Sequence, residues 1–218
     1  MQYKIIATGS KGNAVVLNNN ILIDCGVSFK ALNDVYKDLQ IILLTHIHKD
    51  HFNPTAITNL AKSRPTLRFG CCDWLVPALV ACDVSKRNID VYNVGKLYNY
   101  GQFKISPVKL YHNVPQCGYR VFVGDKKALY CTDTGTLEGI TARNYNLYLI
   151  EANYGEDEIQ ERIKKKQSRN EYCYELGVLN RHLSKEQADS FLLENMGENS
   201  RYVYLHAHVD KTQEVKNE

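Results

Sequence analysis

The stretch Thr45-His46-Ile47-His48-Lys49-Asp50-His51 constrains this chain more than any other. Three of the seven histidines and one aspartate fall within six positions, directly after the apolar run 41–45. Such a run suits a strand covered on both faces. Side chains alternate along a strand, so His46 and His48 leave its end on the same side. Asp50 and His51 lie past the strand, where a turn can swing them toward a second position. Imidazole and carboxylate are natural ligands for a borderline cation such as zinc. One ion does not need all four groups, so the pattern points to two ions sharing a bridging water or hydroxide. Histidines scattered in a surface loop would be the plain alternative, but a rare residue type does not cluster this way by default.

The rest of the chain supplies short strands first and helices late. Strands are expected at 3–8, 14–17 and 21–23, with Asn18-Asn19-Asn20 as a hairpin turn. Ser28 can cap a helix over 28–39 that turns Phe29, Leu32, Val35 and Tyr36 to one side. Helical patterns recur at 55–63 and 73–82. Strand-like stretches follow at 89–94, 103–110, 118–123, 128–132 and 147–151. Helices are expected at 156–166, 172–179 and 184–195, then a strand at 201–206 and a polar tail. A chain of 218 residues is one domain with ordinary composition, 44% hydrophobic and 23% charged. The expected boundaries are a hydrolase domain over 1–210 and a polar tail over 211–218. A net charge of +3 does not by itself mark a nucleic-acid binder. The basic run Arg162-Ile163-Lys164-Lys165-Lys166 reads most simply as a solvated helix face, or else as a phosphate contact. No apolar run is long enough for a membrane span, and the start lacks the sections of a signal peptide. Seven cysteines, none in a C-x-x-C pair, argue for free thiols and a reducing cytoplasm.

The run has the form H-x-H-x-D-H and resembles the metallo-β-lactamase fold superfamily. The resemblance implies an αββα sandwich, α/β (α+β) in class, with a metal site at one edge of its two sheets. It also orders the remaining ligands. His112, after the strand at 103–110, matches the third histidine of the first metal position. Asp133, in Cys131-Thr132-Asp133-Thr134-Gly135, matches the aspartate between the two ions. His208 matches the last histidine, with His206 as the competing candidate. Asp24, in Ile23-Asp24-Cys25-Gly26, matches an acid that orients ligands from behind.

Three further segments narrow the resemblance to the YycJ/WalJ-like phosphodiesterase branch, relatives of tRNase Z, of β-CASP nucleases and of phage anti-Pycsar phosphodiesterases. Thr8-Gly9-Ser10-Lys11-Gly12-Asn13-Ala14 resembles its G-S-x-G-N start. Glu151-Ala152-Asn153-Tyr154 resembles its E-A-N-H, and Asn180-Arg181-His182-Leu183-Ser184 its H-L-S. Two departures stand out: A-H-L-S becomes Ala207-His208-Val209-Asp210, and no Y-P-x-x-L-K follows Tyr154.

The branch implies a dinuclear metal-dependent phosphodiesterase with two zinc ions, manganese also suiting the ligands, that attacks phosphorus with a metal-bridging hydroxide. A nuclease on DNA or RNA is the first expectation. A cyclic-nucleotide phosphodiesterase is the alternative, and a thioester or β-lactam hydrolase a more distant one. Asp50 would ligate one ion and orient or deprotonate the nucleophile. His182 would contact the scissile phosphate and stabilise charge or protonate the leaving oxygen. Ser10, Asn13, Tyr154 and Ser184 are the other expected substrate contacts, with Ser184 alternatively a helix cap. The resemblance also implies a homodimer in the cytoplasm, the host's if the chain is viral.

Overall fold

A computed structural model describes residues 1–207. Its strands form two six-stranded sheets. The first runs in spatial order β1 (Tyr3–Ala7), β2 (Ala14–Leu17), β3 (Ile21–Ile23), β4 (Ile41–Leu43), β5 (Arg68–Cys72) and β6 (Ile89–Tyr92). The second runs β12 (Arg201–Leu205), β11 (Leu147–Glu151), β10 (Lys126–Cys131), β9 (Cys117–Val123), β8 (Phe103–Lys109) and β7 (Tyr98–Asn99). Helices α1 (Pro54–Ser63) and α2 (Val76–Ala81) follow strands of the first sheet. Helices α3 (Glu156–Ser168), α4 (Glu175–Leu179) and α5 (Lys185–Asn195) follow β11.

Period-two alternation explains the layering. Ile41 and Leu43 face a core between the sheets, with Val15, Leu17, Tyr119, Tyr130 and Leu149. Ile42 and Leu44 face a second core, with Leu32, Ile57, Leu60 and Leu79 beneath α1 and α2. Leu129, Tyr148 and Ile150 face a third core, under Ala188, Phe191 and Leu192 of α5. Each central strand is therefore apolar on both faces, and the layers stack as helix, sheet, sheet, helix. This is the expected αββα sandwich.

Several expectations need correction. The helix expected at 28–39 is a 3-10 turn, Phe29–Leu32, capped by Ser28 and followed by hydrogen-bonded turns. Asn33 and Asp34 favour turns over helix interiors, yet Leu32, Val35 and Leu39 still reach the core. The helix expected at 73–82 divides into a 3-10 turn, Asp73–Leu75, and α2, because Pro77 brings no N–H and suits only a first turn. Strands β5 and β7 were not expected. The first lacks alternation and contains a glycine, and the second is two residues long. Helix α3 buries only Ile159 and Ile163 and is otherwise a solvated charged rod. All seven cysteines are free thiols. No helix among the described residues is long and apolar enough to cross a membrane.

Candidate metal centre

One rim of the sandwich collects the chemistry. Strands β3 and β4 run parallel, as do β10, β11 and β12, and β8 runs with β10 because β9 opposes both. The residues that leave their C-terminal ends are Asp24, His46, His112, Asp133, Glu151 and His206. Three of them adopt left-handed backbone angles: Asp24 (φ 59°), Asp133 (φ 54°) and His206 (φ 54°). That conformation costs roughly 1 kcal/mol for a non-glycine residue and ends the strand sharply.

His46, His48 and His112 form the first donor group. Nε2 of His46 lies 3.1 Å from Nδ1 of His48, and Nε2 of His112 lies 3.3 Å from that same atom. The proton positions follow from the other ring nitrogens. Nδ1 of His112 faces the carbonyl of Arg181 at 3.2 Å, a pure acceptor, so this nitrogen carries the hydrogen. The Thr45 hydroxyl donates to the Asp24 carboxylate and so accepts from Nδ1 of His46 at 2.9 Å. Both rings are neutral, because burial pushes His46 down to about 2 and His112 down to about 4. Their Nε2 lone pairs thus converge on His48, which has at most one ring proton to offer there. Converging lone pairs are what a cation satisfies.

The second group joins Asp50, His51 and His206, with Asp133 reaching between the two. Oδ2 of Asp133 lies 2.7 Å from Nε2 of His51, but the approach lacks hydrogen-bond geometry. Oδ2 of Asp133 and Nε2 of His206 are both buried without a hydrogen-bond partner. Burial opposes the ionisation of Asp133, but His51 outweighs it and holds the carboxyl well below its usual range. Burial likewise opposes charge on His51 and His206. Asp24 and Asp133 overcome it for the first, while Asp50 and Glu151 raise the second to about 10. So much matched charge without hydrogen-bond closure fits divalent cations, which take neutral imidazole and carboxylate together.

Support comes from behind the donors. Asp24 is wholly buried and accepts from Nδ1 of His51 (2.7 Å), the Tyr130 hydroxyl (3.0 Å), and the Thr45 amide (3.0 Å) and hydroxyl (2.9 Å). Gly26 lets the 50–51 turn approach, since a Cβ there would lie 1.8 Å from the Asp50 carbonyl oxygen.

With this geometry the sequence matches the family described as "Beta-lactamase superfamily domain" over residues 19–207. The chain belongs to the beta-lactamase superfamily. It is 27% identical to the exodeoxyribonuclease WalJ of Streptococcus pneumoniae, covering 99% of this chain and 84% of that protein. Among solved structures it resembles the metallo-β-lactamase fold protein YhfI from Bacillus subtilis (TM-score 0.71, 16% identity, 96% and 87% of the two chains). It also resembles the short form of human tRNase Z (TM-score 0.67, 16% identity, 95% and 93%).

Against this superfamily fold, the expected site residues sort plainly. His46, His48, Asp50, His51, His112, Asp133 and His182 come together, with Asp24 behind them. His208 lies outside the described residues. His206, the competing candidate, stands in the second donor group. Asn13, expected as a substrate contact, lies against the ligands. It is buried, and its amide nitrogen lies 3.3 Å from Oδ2 of Asp50 and 2.8 Å from Nε2 of His51, so it braces the ligands. Ser184 is the helix cap: its hydroxyl accepts from the Gln187 amide and donates to Glu156. Ser10 is exposed on the first turn, and Tyr154 is half-buried beside the β-bridge it makes with Ser184.

Glu151, in the sequence only one letter of the E-A-N motif, stands at the centre. Wholly buried, it lies 2.6 Å from Nδ1 of His182 and 3.0 Å from Nδ1 of His206, and it accepts from the Thr134 amide at 3.0 Å. Gly135 makes room for the loop that carries His182, since a Cβ there would lie 2.6 Å from the Asn180 carbonyl oxygen. An acidic residue in an otherwise apolar strand, at the sheet end where the ligands emerge, was the available signal.

Proposed function

We propose that this chain is a two-metal phosphodiesterase acting on nucleic acid, a nuclease with DNA as its first substrate to test. The observation that carries the reading is a hydrogen-bonded His182–Glu151 pair beside both donor groups, with the His182 ring 5.3 Å from those of His112 and His206. The similarity to an exodeoxyribonuclease along 99% of the chain supports the choice of DNA.

His46, His48 and His112 would hold one ion, and Asp50, His51 and His206 the other, with Asp133 between them. Zinc suits this set, and manganese also fits. Bound there, two such ions supply Lewis acidity toward phosphate oxygens and lower the pKa of water. Asp50 is the most open carboxylate of the set, its side chain 23% exposed, and it orients the attacking water or takes its proton. Glu151 accepts from Nδ1–H of His182 and thereby orients that ring. In its imidazolium form the ring also carries a proton on Nε2, which it delivers to the departing alkoxide, a group that leaves poorly without one.

The test is a panel on metal-loaded protein: single- and double-stranded DNA, RNA, bis-p-nitrophenyl phosphate, cyclic nucleotides, a thioester and nitrocefin. Cleavage of polymers and of the simple diester, abolished by His48→Ala, is expected. Turnover of the thioester or nitrocefin alone would overturn the reading, and cleavage of cyclic nucleotides alone would replace its substrate.

A further inference from the structure

A cavity of about 480 Å³ opens beside His112, lined by Trp74, Leu110, Tyr111, Val114 and Gln116 among others. His112 itself forms part of the wall, so the cavity adjoins the first donor group. Tyr111 is 48% exposed, with the Lys109 ammonium 4.9 Å from its ring centroid. Trp74 is half-buried, and Leu110, Val114 and Pro115 make the remaining wall largely apolar. Gln116 ties this wall to the metal-side loop, because its amide nitrogen donates to the carbonyl of Asp133. That contact turns Oε1 of Gln116 away, and both this atom and Nε1 of Trp74 are left without partners. Both are shielded from solvent in the free protein, so they would pair with a ligand only after a side-chain rotation.

We propose that this cavity is the subsite for the nucleobase of the nucleotide whose phosphate lies at the metal centre. The inference rests on the phosphodiesterase reading and gives that site its substrate contact. A base has two flat apolar faces for the aromatic wall, and its polar edge can reach the unpartnered donor and acceptor once those side chains rotate. Lys109 adds a cation beside the aromatic ring, suited to the flanking phosphate. Stacking is tolerant of sequence, so the subsite accepts any base. The cavity lies within the usual size range for a small-ligand pocket.

Trp74 is the only tryptophan in the chain, so its emission reports on the cavity without reference to turnover. Thymidine 5′-monophosphate added to metal-loaded protein should quench or shift that emission saturably, whereas ribose 5-phosphate should not. In parallel, wild type, Tyr111→Ala and Tyr111→Phe are assayed on thymidine 5′-p-nitrophenyl phosphate and on methyl p-nitrophenyl phosphate. The leaving group is common to both, and only the first has a base. Tyr111→Ala should lower the ratio of kcat/KM values, base-bearing over base-free, on the order of tenfold, and Tyr111→Phe should restore it. The Tyr111 amide and carbonyl, which bond the Thr134 side chain and the Gly135 amide, are untouched by either change. An unchanged ratio with indifferent emission, while wild type still cleaves diesters, overturns the base subsite alone. Failure of wild type to cleave either diester overturns the phosphodiesterase reading, and this inference with it.

Discussion

Replacing Asp24 by Asn should remove a metal ligand that Asp24 does not itself provide. The carboxylate accepts from two groups on Thr45, from Tyr130 and from His51, all within 3.0 Å. An amide can keep its oxygen toward the Thr45 backbone N–H, which cannot turn away. Its NH2 then faces Nδ1 of His51. The imidazole relieves the clash of donors by moving its proton to Nε2, the atom 2.7 Å from Asp133 and 3.5 Å from Asp50. A protonated Nε2 cannot ligate. The second ion should therefore bind about 10–100-fold more weakly, while the first, held by His46, His48 and His112, is less affected. The metal-free protein also loses a buried charge pair, about 3–5 kcal/mol. Chelator competition and elemental analysis measure the first effect, and guanidinium unfolding of stripped protein measures the second. Wild-type zinc stoichiometry and affinity, with stability changed by less than about 0.5 kcal/mol, would refute the tautomer argument.

Other outcomes follow from the same geometry. Gly26→Ala would place a methyl group on the Asp50 carbonyl and should destabilise the fold by about 1–3 kcal/mol or more while lowering metal content, checked by denaturant melts and elemental analysis. Glu151→Gln should lower kcat by about 10²-fold or more with a smaller change in KM and a displaced alkaline limb in the pH–rate profile, because His182 loses its acceptor. Stripping the metal from protein held at 100 times the dissociation constant should remove about 2.7 kcal/mol, read as a fall in Tm of roughly 5–11 °C. In stripped protein the raised pKa of His206 gives stability that is full below pH ~6.5 and lost as pH rises through about 10. Thermal melts across that window should show the decline, and a flat profile would contradict it.

The segment 45–51 needed no tertiary information to reveal its chemistry. Its ligands are local, and the apolar residues before it encode a strand buried on both faces. The structure puts Ile41 and Ile42 in different cores, as a strand covered on both faces requires. The legibility failed where a residue's role is set by what lies across the rim. Asn13 reads as part of a polar turn, and only the approach of Asp50 and His51 makes it a brace. Strand β5 lacks a period-two signature, and its strand character comes from pairing with β4 and β6 on either side.

The two-sheet sandwich was implied by the family resemblance, while what the sequence determined alone was the donor types, their order along the chain and an apolar run that needs cover on both faces. These are local properties, fixed by side-chain chemistry and by the two-residue repeat of a strand. Only the tertiary structure decided that His206 faces the second donor group, that Glu151 joins His182 and His206, and that His112 borders an aromatic cavity. Each depends on the register and direction of strands far apart in sequence, whose ends meet only when the two sheets pack.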